Sequence, residues 1–134
     1  MMELCIEACD GTSTFSNKVY VGPQQLRDVI AELDTFKDHI YGGLYDLRFG
    51  EFGPEYASGA FHARLHFHDR GKVLVSVHMQ SEYSDFGRKS VASEANLYLI
   101  SEPSLLDSFI QSLHAINEGH REDAELEGIY SPWT

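Results

Sequence analysis

Apolar and polar residues alternate with a period of two along much of this chain, most strictly at its centre. Phe61, Ala63, Leu65 and Phe67 form one set; His62, Arg64, His66 and His68 form the other. Such alternation marks a strand with one face buried and one in water. A second run sets Val73, Val75, Val77 and Met79 against Leu74, Ser76, His78 and Gln80. Asp69-Arg70-Gly71 lies between them, a three-residue loop with glycine where the chain needs positive φ. That loop pairs His68 with Lys72, Phe67 with Val73, Leu65 with Val75, Ala63 with Val77 and Phe61 with Met79. A two-residue loop would set Phe67 opposite Leu74 and Leu65 opposite Ser76, splitting the apolar sets between faces, so the pattern selects the longer loop. His62 then faces His78, Arg64 faces Ser76, and four of the seven histidines (His62, His66, His68 and His78) share the polar side.

The same logic predicts further elements. Residues 3–9 alternate with Leu4, Ile6 and Ala8 inward, and after a turn residues 15–21 return with Val19 and Val21 on one face. Gly22-Pro23 breaks that strand. Pro23 opens a helix, where its missing N–H costs nothing; Leu26, Val29, Ile30, Leu33, Phe36 and Ile40 recur at helical spacing, and Gly42-Gly43 stops it. Residues 44–52 form a strand with Tyr45, Leu47 and Phe49 inward and Asp46, Arg48 and Glu51 outward, and a loop follows to residue 59. Residues 81–93 show no period and read as a long loop with Tyr83 and Phe86 as exposed aromatics; long loops in compact domains are often functional. The last strand, 94–101, puts Leu97 and Leu99 on one side and Asn96, Tyr98 and Ile100 on the other. Pro103 opens a second helix, with Leu105 or Leu106, Phe109, Ile110, Leu113 and Ile116 as its stripe and Asn117 and Gly119 at its end.

Strands joined by short loops imply antiparallel pairing. Two amphipathic helices need one apolar sheet face to cover. The expected fold is therefore α+β: a two-layer sandwich, with an antiparallel sheet of about five to six strands and two helices on one face. Residues 1–118 make one domain, and residues 119–134 read as an acidic, partly mobile tail; from Glu118 onward the chain has five acids against one arginine. The opposite sheet face, with its histidines, is left to water or to a partner.

Charge narrows the partners. The net charge is −11 with histidines neutral, which repels phosphate backbones and anionic lipids. Nucleic acid and membrane are disfavoured, and a basic protein partner fits. Protonating all seven histidines would bring the charge to −4 (−11 + 7), weakening such a partnership near pH 5. With no apolar run near a membrane span and no basic-then-apolar start, the expected location is cytoplasmic. Cys5 and Cys9 lie roughly 13 Å apart on one strand, too far for a bridge between them, which suits a reducing compartment.

The histidines invite a metal site. His62 and His78, as a cross-strand pair, have Cβ atoms about 5 Å apart and could share a zinc ion. His66 and His68 make a second pair, but His62 and His66 are roughly 13 Å apart along the strand. The four cannot form one site, and Arg64 stands between the pairs. Each pair needs further ligands, from Asp46 or Glu51 if that strand is adjacent. No cofactor is expected. A hydrolase with His62, His78 and Asp46 as its acid–base groups is the alternative, although no Gly-x-Ser-x-Gly elbow is present and a flat sheet offers no cleft. The favoured reading is a non-enzymatic binding surface of His62, Arg64, His66, His68, His78, Arg48 and Tyr98, bordered by Tyr83, Phe86 and Trp133. Arginine and tyrosine are frequent energetic anchors at interfaces. A homodimer burying the histidine face against itself is a third reading.

One segment resembles a known family. Asn96-Leu97-Tyr98-Leu99-Ile100-Ser101-Glu102-Pro103-Ser104-Leu105-Leu106-Asp107-Ser108-Phe109-Ile110-Gln111-Ser112-Leu113 is similar to the end of the WapI-type immunity proteins of bacterial polymorphic-toxin systems, where an apolar strand leads through a short polar turn into a Leu-x-x-Phe-x-x-x-Leu-like helix. The preceding helix, Gly-Gly step and strand series follow in a similar order. The resemblance implies a small acidic α+β protein that binds and blocks a toxin domain, often a basic nuclease. No functional residue carries over, and the histidine-rich strand is not part of the likeness.

Overall fold

Alternation becomes pairing in the computed structural model, which describes residues 2–39, 42–53, 59–68 and 71–129. β1 (Met2–Cys9) and β2 (Thr14–Val21) form an antiparallel hairpin. α1 (Pro23–Phe36) follows, then β3 (Leu44–Phe49), β4 (Ala60–His68) and β5 (Lys72–Gln80). Two short strands, β6 (Ser84–Phe86) and β7 (Lys89–Val91), precede β8 (Glu94–Ser101) and α2 (Pro103–Asn117). The main sheet is four-stranded and antiparallel, in the order β3-β4-β5-β8. The fold is α+β in two layers, with the helices on the sheet's apolar face.

The β4–β5 register is the one the core pattern selects. Phe67 faces Val73, Leu65 faces Val75, Ala63 faces Val77, Phe61 faces Met79 and His62 faces His78. Gly71 takes φ +68, as the loop requires; Asp69 and Arg70 lie outside the described residues. Phe67, Val73, Met79, Leu33, Leu106 and Ile110 are among the most deeply buried side chains, in one core shared by sheet, helices and hairpin. Leu106, not Leu105, is the buried leucine at the start of α2.

The expected strands do not all share one ladder. Among the described residues β1 and β2 pair only with each other, and β2 packs where β4 begins and β5 ends. Asn17 makes that junction. By period it belongs with Val19 and Val21 on the inward face, and its buried Nδ2 donates to the Ala60 carbonyl at 2.9 Å and the Gln80 carbonyl at 2.8 Å. Gly59 lets the backbones meet, since a Cβ there would stand 2.1 Å from the Lys18 carbonyl oxygen.

α1 ends at Phe36, earlier than the Gly42-Gly43 stop. Asp38 and His39 donate instead to Thr35 and Phe36, one residue short of the α-helical span, which tightens the chain into a turn. That turn leaves Phe36 stacked on Phe67, ring centroids 4.7 Å apart. Ile40 lies outside the described residues. Tyr45 ties α1 to β3 by donating its phenol proton to Glu32 at 3.0 Å; burial and this carboxylate push the phenol pKa well above its usual range. Lys37 and His114 join the helices through Asp107 (3.1 Å) and Asp34 (2.6 Å).

Residues 81–93 are a correction to the expected loop. β6 and β7 form a hairpin, with Phe86 opposite Lys89 across Gly87-Arg88. Gly87 takes φ +65 at the first turn position, which two-residue hairpin turns need. The hairpin extends the β5–β8 pair with a slip. Ser81 donates to the Ser93 carbonyl, and the next pair is Ser84 with Val91. Residues 82 and 83 therefore oppose residue 92 alone, a β-bulge at the base of the ribbon. Strands this short give no readable period.

The acidic tail returns to the domain over its described part. Leu126 packs on the core, the Ser101 hydroxyl donates to the Glu127 carbonyl at 2.6 Å, and the Ile129 amide donates to the Ile100 carbonyl at 2.7 Å. Tyr130 and Trp133 lie outside the described residues.

Candidate functional site on the outer sheet face

Register turns the polar face into a grid. One row across the sheet reads Leu44, His66, Leu74, Ile100; the next Asp46, Arg64, Ser76, Tyr98; the third Arg48, His62, His78, Asn96. His62, Arg64, His66, His78, Arg48 and Tyr98 thus come together on one face. His68 faces Lys72 at its turn end.

The Arg48 end is held by internal contacts. Asp46 receives Arg64 Nε at 2.9 Å and Nη2 at 3.3 Å on its two oxygens. His62 Nε2 stands 2.8 Å from Asp46 Oδ1. Since an ionised carboxylate only accepts, Nε2 carries the proton in that contact. The Arg64 guanidinium first, and His62 after it, hold the Asp46 carboxyl down to about 2 against the opposing effect of burial. Phe52, in the segment that follows β3, covers His78. Its ring stacks on the imidazole, 4° from parallel, with centroids 4.3 Å apart. The Gly53 amide reaches Gln80 Oε1, and Gln80 donates onward to Glu94 at 2.6 Å. The segment after β3 therefore crosses the face, and both His62 and His78 are half-buried.

The Leu44 end differs. Tyr98 is 72% exposed and Leu44 53%, beside half-buried Leu74, Ile100 and His66. His66 and His68 meet edge to face at 6.3 Å. The tail, with Glu125 and Glu127 exposed, runs along the β8 margin of this end. Phe86, 74% exposed, stands at the tip of the β6–β7 ribbon, while Tyr83 is half-buried at its base. Sequence reasoning missed Phe52 over His78, Asn17 beneath the sheet end, and the ribbon that carries Phe86. Only the last had a local signal, Gly87-Arg88 as a two-residue turn.

Among the described residues, no group of three histidine, cysteine or carboxylate side chains stands close enough to hold a metal ion, and no helix is long and apolar enough to cross a membrane. Comparison with family models, with curated proteins and with solved structures finds no match for this chain.

Proposed function

We propose that this protein binds a basic protein partner through the Leu44–Tyr98 end of its outer sheet face, in the manner of an immunity-type inhibitor. The observation that carries this reading is a set of apolar side chains on the outer face beside an acidic margin. Leu44 is exposed at the β3 edge and Tyr98 at the β8 edge, with His66 and half-buried Leu74 and Ile100 between them, and the tail that meets β8 carries exposed Glu125 and Glu127. Apolar anchors within a charged rim are the usual anatomy of a binding patch. Arg64, His62 and His78 frame the patch, and Phe86 offers a second anchor on the ribbon. The net charge of −11 favours a cationic partner.

The Asp46–His62 contact supports a second reading, a histidine-dependent hydrolase. Against it, Arg64 shares the same carboxylate, and among the described residues no hydroxyl or thiol is hydrogen-bonded to His62. Affinity capture from host extract, with wild type beside Tyr98→Asp, separates the readings. The binding reading expects a basic protein retained at low salt by wild type, released by salt and absent from the variant. Equal retention by both proteins removes Tyr98 from the interface. Stoichiometric zinc in protein purified without a histidine tag supports the hydrolase.

A further inference from the structure

The two edges of the main sheet are finished differently. In an antiparallel ladder, alternate residues turn both backbone groups toward the same neighbour. The Phe67 amide bonds the Gly43 carbonyl, so residues of odd number in β3 face β4, and Leu44, Asp46 and Arg48 turn their N–H and C=O groups outward. At the far edge, Ile100 points outward by the same parity and is met by the tail through Ile129. At the β3 edge, among the described residues, the one contact to these groups is a 3.4 Å bond from the Gln25 side chain to the Arg48 carbonyl. β3 contains neither proline nor lysine, two of the devices that commonly keep a sheet edge from pairing, and its two charged residues, Asp46 and Arg48, are of opposite sign.

We propose that β3 is a self-association edge, and that its occupant is β3 of a second copy, paired antiparallel about a two-fold axis at Leu47. The charges choose the register. A two-fold at Asp46 would set Asp46 against Asp46 of the second copy, a like-charge pair. A two-fold at Tyr45 would set Asp46 against Leu44 and leave Arg48 without a counter-charge. A two-fold at Leu47 sets Asp46 against Arg48 of the second copy and Arg48 against its Asp46, two reciprocal pairs on the outer face. Opposite charges directly across strands stabilise pairing and like charges oppose it. Arg48 is exposed and has no ion-pair partner among the described residues, so it is available for this role. In that register the Asp46 and Arg48 backbone groups complete both hydrogen-bonded pairs, the Gln25 contact gives way, and the sheets of the two copies run on as one of eight strands. This inference stands apart from the proposed partner, which lies on the face rather than the edge.

Sedimentation equilibrium from about 10 μM to about 1 mM, read with amide hydrogen exchange, tests it. The expected result is a concentration-dependent species of twice the 15.1 kDa chain mass, with the Asp46 and Arg48 amides slowing as it forms. Arg48→Asp sets carboxylate against carboxylate at both pairs and weakens association by at least about tenfold. Arg48→Pro removes an outward N–H that this register uses, without touching the β4 ladder, and also weakens association, while circular dichroism stays that of the wild type. A monomer across the whole range overturns the proposal. So does a dimer that Arg48→Asp leaves intact, or one that slows the Tyr98 amide and leaves those of β3 exchanging freely.

Discussion

The two ends of the outer sheet face use similar residues to opposite effect. At the Arg48 end, groups that could act on a partner are taken up by one another: Asp46 by Arg64 and His62, His78 by Phe52, Gln80 by Glu94 and Gly53. At the Leu44 end, Tyr98 and Leu44 stand in solvent, and among the described residues no polar contact holds their side chains. A histidine-rich face is therefore not one surface. Apart from Arg48 at its β3 edge, its polar half behaves as structure, and its apolar half keeps the contact capacity that recognition needs.

The contrast can be broken first from below the held end. Gly59→Ala drives a Cβ toward the Lys18 carbonyl, and overpacking against backbone should cost about 3 kcal/mol in urea denaturation. An unchanged midpoint would show that β2 can move away freely and that this end is not rigidly anchored. Next in size is the bare end. Tyr98→Ala should weaken partner binding by about 2 kcal/mol, typical of an aromatic anchor, while changing folding stability by less than about 0.5 kcal/mol. Titration calorimetry and denaturation on the same preparation read the two numbers. A large loss of stability would mean that Tyr98 is structural and that the two ends are alike.

A smaller effect concerns Asp46. Its carboxyl titrates near 2 when folded, below the usual value of about 3.9 for an unfolded chain. A depressed pKa contributes stability that is present above the unfolded value and is lost as pH falls through the folded one. The group is partly solvated, so the contribution is about 1 kcal/mol. Asp46→Asn should therefore be less stable than wild type at pH 7 by that amount, with the gap closing between about pH 4 and pH 2. A gap that stays constant across that window would locate the effect in shape rather than charge. The smallest expected change is Phe86→Ser. It should leave stability within about 0.5 kcal/mol, and any fall in partner binding would extend the contact surface onto the ribbon.

What could be read in advance follows the range of the interactions. The β4–β5 register was legible because every apolar residue of one strand needed an apolar partner and Gly71 set the loop length. The inward sets of β3, β8 and the helices were legible for the same reason. Asn17 shows the limit. Alternation puts it inward beside Val19, but its acceptors, the Ala60 and Gln80 carbonyls, lie 43 and 63 residues away, and no local pattern points to them. The division of the strands between a hairpin and a four-stranded sheet depends on that distant junction. On the outer face, register alone brought Arg64, His62 and His78 together; the reach of Arg64 to Asp46 and the fold of Phe52 over His78 depend on side-chain geometry that alternation does not encode. β6 and β7 are three residues each, too short for a period to repeat.

The bulge where residues 82 and 83 face residue 92 has a consequence for how this molecule can change over generations. It is an interruption between two ladders with separate registers, so the eight residues 84–91 can be rewritten without asking β5 and β8 to realign. A lineage that had to meet a succession of different partners could exchange that tip, Phe86 included, and carry the same core forward each time.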